Sequence, residues 1–307
     1  MYYDTMKPTI CVLFCWNDLF ILCLTQIAYL NKKDEINLLK YDGHIHTPFC
    51  PHGTKDELNR YCEQAIKEGL SGISFTEHAP LPDNFDDPAP TQDSAMPKSQ
   101  LYQYIERVQT IKTQYKDQLT VGIGLEVDFI EGYETEISTL LNEVGPMLTD
   151  SILSVHFLKV HDQYMCMDFS PELFQEIAEA LGSVDAVHQL YYQTVQKSIQ
   201  ADLGPYKPKR IGHITLANKF HKKVRPTRLF TNEINKLLLE IKEHGYALDY
   251  NLAGLRKPLC KESYPPYDIA VQASGLGIPL IFGSDSHQAK EVSIAWIEYN
   301  GIPLSTP

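Results

Sequence analysis

From residue 40 onward the chain alternates short apolar runs, rich in β-branched and aromatic residues, with longer stretches whose apolar positions recur at helical spacing. The short runs fall at 41–46, 71–76, 120–127, 151–156, 210–214, 245–250 and 278–283. The helical stretches fall near 55–68, 99–117, 134–144, 171–181, 185–202, 229–244 and 266–275. Thr54 and Glu57 have the spacing of a capping box for the first helix, and Gly69 and Gly245 sit where helices would stop. Residues 80–98, rich in Pro and Asp, read as one long loop, a length often tied to function. Strands alternating with helices predict an α/β fold with a largely parallel sheet. Seven or eight such units over about 265 residues favour a closed or distorted (β/α) barrel, with a doubly wound open sheet as second choice.

The chemistry-bearing residues cluster at the ends of these runs. His44 and His46 stand two apart at a strand end, so both rings share one face and can reach one ion. His78, Glu126, His156 and His213 each close or follow an apolar run, and Asp285 and His287 follow PLIFGS as a second i, i+2 pair. His52 lies on the loop after the first run and can fold back. C-terminal strand ends of parallel α/β architectures converge on one face, so these nine residues are expected to meet there. Imidazole and carboxylate donors without thiolate suit zinc, iron or manganese, and nine ligands exceed what one ion takes. The other histidines, His161, His188, His221 and His244, fall outside this pattern and read as ordinary surface or hydrogen-bonded residues. Cys50, between His46 and His52, reads as a buried bystander.

Composition narrows the reading. The net charge of −12 argues against a nucleic-acid surface, which needs surplus Lys and Arg. Seven scattered cysteines with no CxxC pair indicate a reducing compartment, the cytoplasm, and no disulfide framework. Residues 9–30 are strongly apolar, but Asn17 and Asp18 interrupt them, so a membrane anchor is not the expected role. Residues 1–40 are read as an N-terminal extension, with Leu39 a natural alternative start, and residues 41–307 as the barrel.

The motifs DGHIHTPFCPHG, FTEHAP, GLEVDF, SVHF, GH and GSDSH run in order from about Tyr41 to near Asn300. In this they resemble the PHP (polymerase and histidinol phosphatase) family, and the first phrase with EHAPLP looks most like its histidinol-phosphatase branch. The resemblance implies a distorted (β/α)7 barrel and two to three divalent ions (Zn, Fe or Mn). One ion would take His44, His46, Glu126 and Asp285. A second would share Glu126 and add His156 and His213, and a third would take His52, His78 and His287. Asp285, Glu126 and His78 are the implied catalytic residues. Arg256 and Lys257, in a stretch like the family's Gly-Leu-Arg-Lys, are the implied phosphate contacts. The implied substrate is a small phosphorylated amino alcohol, L-histidinol phosphate, hydrolysed in histidine biosynthesis by direct attack on phosphorus. The alternatives are another phosphoesterase of this family and a non-catalytic metal-binding module. The resemblance assigns no role to residues 157–170 or to ITLANKF after His213.

Overall fold

All seven apolar runs form strands in the computed structural model, which describes residues 40–294 and 301–307. The apolar stretch at 9–30 and the expectations about residues 1–39 lie outside the described residues. The principal strands are β1 (Tyr41–Ile45), β2 (Gly72–His78), β3 (Thr120–Asp128), β4 (Asp150–Ser154), β7 (Arg210–Ile211), β8 (Ala247–Asn251) and β9 (Leu280–Gly283). They lie side by side in that order, every pair parallel. The sheet curls until its edges meet. Asp285 N–H donates to His44 O at 2.8 Å and His46 N–H to Ser286 O at 2.9 Å, so the segment after β9 pairs with β1. That pairing makes the nearly closed barrel expected from the sequence and removes the open-sheet alternative.

Helices α1 (Leu58–Lys67), α2 (Leu101–Tyr115), α3 (Glu134–Val144), α4 (Pro171–Leu181), α5 (Val184–Gln200), α6 (Thr231–Glu243), α7 (Ala253–Arg256) and α8 (Tyr267–Gly275) follow the strands. Their apolar stripes bury Tyr61 and Ala65 from α1, Tyr104 and Val108 from α2, and Leu237 and Ile241 from α6. Each large apolar side chain so covered contributes about 1.5–3 kcal/mol. Ser170 and Ser183 cap α4 and α5, accepting from Leu173 N–H and Ala186 N–H. Gly69 and Gly245 end α1 and α6 at φ +72 and +67, where a side chain would be strained.

Three expectations change. The Thr54–Glu57 capping box does not form. Glu57 itself is the N-cap, and the Thr54 hydroxyl is taken by Asp56 and the His287 carbonyl. The run at 210–214 yields a strand of two residues. Gly212 lies so close to Ser154 that a Cβ would sit 2.1 Å from its Oγ, and the chain leaves the sheet there, carrying His213 inward. Residues 157–166 form an unexpected antiparallel hairpin, β5 (Phe157–Val160) with β6 (Gln163–Cys166). Among the described residues no helix is long and apolar enough to cross a membrane.

Candidate metal centre

Glu126, nearly the last residue of β3, is 1% exposed and sits among five imidazoles. Its Oε2 lies 3.2 Å from His44 Nε2, 3.4 Å from His46 Nε2 and 3.3 Å from His78 Nδ1. Its Oε1 lies 2.9 Å from His213 Nε2 and 3.8 Å from His156 Nε2. One carboxylate therefore faces two separate imidazole groups with its two oxygens. Asp285 approaches from the far wall, its Oδ1 3.3 Å from His46 Nε2 and 3.9 Å from His44 Nε2. His52 and His287 meet at the rim with their Nε2 atoms 3.1 Å apart.

The outer nitrogens fix the tautomers. His44 Nδ1 donates to Asp249 at 2.8 Å, His46 Nδ1 to Glu77 at 3.2 Å and His156 Nδ1 to Asp128 at 2.7 Å. His52 Nδ1 donates to the Asp93 carbonyl at 2.8 Å, and His287 Nδ1 to the Asp285 carbonyl at 3.2 Å. Carboxylates and carbonyls only accept, so each of these Nδ1 atoms carries a hydrogen, and a neutral ring presents a bare lone pair at Nε2. His44 and His46 then aim two lone pairs at each other across 3.2 Å, as do His52 and His287. Two lone pairs cannot bond one another, and a shared cation satisfies both. This is the arrangement that orients metal-binding histidines. Buried His78 Nδ1 and His213 Nδ1 also lack a hydrogen-bond partner.

Protons compete with a cation for these Nε2 lone pairs, and the surrounding acids favour the charged rings at His44 and His46. Burial alone would raise Glu126, but the charge on His44 and hydrogen bonds from His213, His44 and His46 hold it well below the carboxylate range. Asp285 is held low in the same way, chiefly by His44 and His46 against burial. His44 rises to about 10, because Glu126, Asp249 and Asp285 overcome its burial. His78 and His287 fall well below the usual value, through burial and the charge on His46. Acids push some of these neighbouring imidazoles up while burial and the charge on His46 push others down, and such clustered perturbation marks functional sites.

All nine sequence-predicted ligand residues meet here. Among the described residues four groups lie close enough for shared ions: His44, His46 and Asp285; Glu126, His156 and His213; His78, Asp128 and His156; and His46, Cys50, His78 and His287, while His52 joins none of them and reaches His287 from the rim. Cys50 is thus nearer the centre than its reading as a bystander implied, although burial and the charge of Glu77 push its thiol up to about 12. Asp285 and His287 have different neighbours. Asp285 adopts φ +53 and turns toward His44 and His46, while His287 points to His52. Arg256, on α7, lines the same cavity, with Nη2 donating to Ser284 O at 2.9 Å and Nη1 lacking a protein partner. Lys257 lies exposed on its wall.

Among the lining residues that escaped the sequence reading is an ion pair. Lys219 stands in the short helix Leu216–Phe220 that follows His213, and Asp168 follows the hairpin. They pair at 2.8 Å, and Asp168 outweighs burial to keep the Lys219 ammonium charged. The acids behind the histidines, Glu77, Asp128 and Asp249, were also missed.

A parallel barrel whose strand ends converge on a carboxylate-bridged cluster of histidines defines a class of metal-dependent hydrolases. The PHP domain model matches residues 42–253, and the chain belongs to the PHP family. A curated relative, the histidinol-phosphatase of Bacillus subtilis, is 47% identical over 259 residues, covering 84% of this chain and 97% of that protein. A solved structure from Listeria monocytogenes, of a protein proposed to be a histidinol phosphatase, superposes with a TM-score of 0.80 at 37% identity. It covers 85% of this chain and 100% of that one. The Lactococcus lactis histidinol phosphate phosphatase, solved with zinc, L-histidinol and phosphate, shares the fold at a TM-score of 0.59 and 21% identity. That match covers 84% of this chain and 91% of the other.

Proposed function

We infer that this chain hydrolyses L-histidinol phosphate to L-histidinol and inorganic phosphate, using two to three divalent ions of zinc, iron or manganese. The observation that carries the reading is Glu126 dividing its two oxygens between two imidazole groups, with cationic Arg256 and Lys219 on the same cavity wall. The 47% identity to a histidinol-phosphatase over nearly all of that protein selects the substrate.

The donor set fits the ions. His44, His46, Glu126 and Asp285 would hold one, Glu126, His156 and His213 a second, and His52, His78 and His287 a third. When bound, such ions acidify a water to a nucleophile near neutral pH and neutralise phosphoryl oxygens. The protein's own groups do the remainder. Asp249, Glu77 and Asp128 lock three rings so that Nε2 faces inward. Arg256 offers Nη1 to a phosphoryl oxygen, and Lys219, kept charged by Asp168, offers a second cation. Lys257 stands on the rim as a weaker third. No nucleophilic Ser or Cys is required. The four described cysteines are all free, which fits the cytoplasm.

A panel of phosphate esters tests the assignment. Metal-loaded protein is expected to release phosphate from L-histidinol phosphate with kcat/KM at least about tenfold above other small phosphomonoesters, a gap of ~1.4 kcal/mol in transition-state binding. A higher value on a nucleotide or sugar phosphate would reassign the substrate within the same family.

A further inference from the structure

We propose that Asn251 is a positioning residue that holds Asp285 toward the metal centre while fixing the helix that carries Arg256. The inference rests on Asp285 acting as a ligand, as argued above.

Asn251 is the last residue of β8 and fully buried. Its backbone is committed, with N–H donating to Tyr264 O at 3.0 Å and C=O accepting from Tyr264 N–H at 2.7 Å. Its side-chain amide is oriented without ambiguity. Oδ1 accepts from Ala253 N–H at 2.9 Å, and a backbone N–H can only donate. Nδ2 must therefore present both its hydrogens on the other side. There it finds Asp249 Oδ2 at 3.3 Å and Asp285 Oδ2 at 3.2 Å. Asp249 Oδ2 is the same oxygen that accepts from His44 Nδ1.

One neutral amide thus joins three parts of the site. It bridges two acids that would otherwise repel, ties Asp285 to the acid behind His44, and caps α7. Arg256, at the end of α7, donates to Ser284 O, next to Asp285. Asp285 needs such support because its φ of +53 is costly for a residue with a side chain, and a strained residue persists where its surroundings over-determine it. Held through Oδ2 by Asn251, it keeps Oδ1 facing His46.

Asn251→Asp separates positioning from capping. It keeps the oxygen that accepts from Ala253 and deletes both donors to the acids. In metal-loaded protein, kcat for phosphate release is expected to fall about tenfold or more, the scale seen when a ligand's supporting partner is removed. KM should stay within about threefold of wild type, because the Arg256 helix remains capped. Ions retained after dialysis, counted by elemental analysis, should fall by about one per chain, consistent with a loosened ligand. Wild-type kcat and metal content in Asn251→Asp would overturn the proposal, as would a raised KM at unchanged kcat, which would place the effect in the Arg256 helix. If circular dichroism shows that Asn251→Asp does not fold, Asn251→Ser replaces it. Its hydroxyl can still accept from Ala253 but stops short of both acids, so the same loss is expected and the same wild-type result overturns the idea. A wild-type protein that retains no ions or releases no phosphate contradicts instead the reading of the site on which the proposal stands.

Discussion

Glu126→Gln lowers kcat/KM for phosphate release by on the order of a thousandfold or more, about 4 kcal/mol or above, the largest effect expected of any single substitution here. The shape of the side chain is kept. What is lost is a negative charge shared between two imidazole groups, and one of the two oxygens that face them. The new amide nitrogen is a donor aimed either at His44, His46 and His78 or at His213 and His156, none of which can use it while binding an ion. The effect should be specific to the centre. Glu126 lies near the end of β3, whose backbone pairs with β2 and β4 are untouched by the change. Circular dichroism is therefore expected to match wild type, while elemental analysis shows fewer ions per chain. A loss of less than tenfold with full metal content would remove Glu126 from its bridging role.

Arg256→Ala should separate substrate binding from metal binding. The guanidinium is anchored to Ser284 O by Nη2, and its buried Nη1 has no protein partner on the cavity wall. A charge-assisted bond to phosphate contributes about 2–3 kcal/mol, so kcat/KM should fall by roughly thirty- to a hundred-and-fifty-fold. Metal content should stay at the wild-type value, since no ligand is touched. Kinetics of the alanine variant alongside elemental analysis check this. Wild-type kcat/KM would take Arg256 out of the site and leave Lys219 as the phosphate cation.

Apart from His52, which lies on the loop after the first run, the residues that meet at the centre were legible in the sequence because each closes or follows an apolar run. A parallel barrel needs such runs, and its strand ends converge. His44 and His46 also declared their shared face through their spacing. The division of Asp285 from His287 was not legible from spacing. It accompanies the left-handed turn at Asp285, in the segment that pairs with β1. The acids behind the histidines were missed because their partners are remote. Asp249 lies 205 residues from His44 along the chain. A signal was present, since Glu77, Asp128 and Asp249 each interrupt an apolar strand, where a carboxylate is costly unless it is paired. The hairpin at 157–166 was missed for another reason. Its two strands are four residues each, and its turn, His161–Asp162, lacks the Asn-Gly or Asp-Gly signature of such loops, although His161 takes the positive φ that the turn requires. With the hairpin unseen, Asp168 had no place and Lys219 no partner.

The proposal that these nine side chains hold ions for the hydrolysis of L-histidinol phosphate makes activity depend on bound metal. Its most direct test is to strip the protein with a chelator and then measure phosphate release from that ester as zinc, iron or manganese is returned in known ratio. Almost no release is expected from the stripped protein, followed by a rise that levels off at two to three ions per chain. Full release from stripped protein, or bound ions with no release, would contradict it.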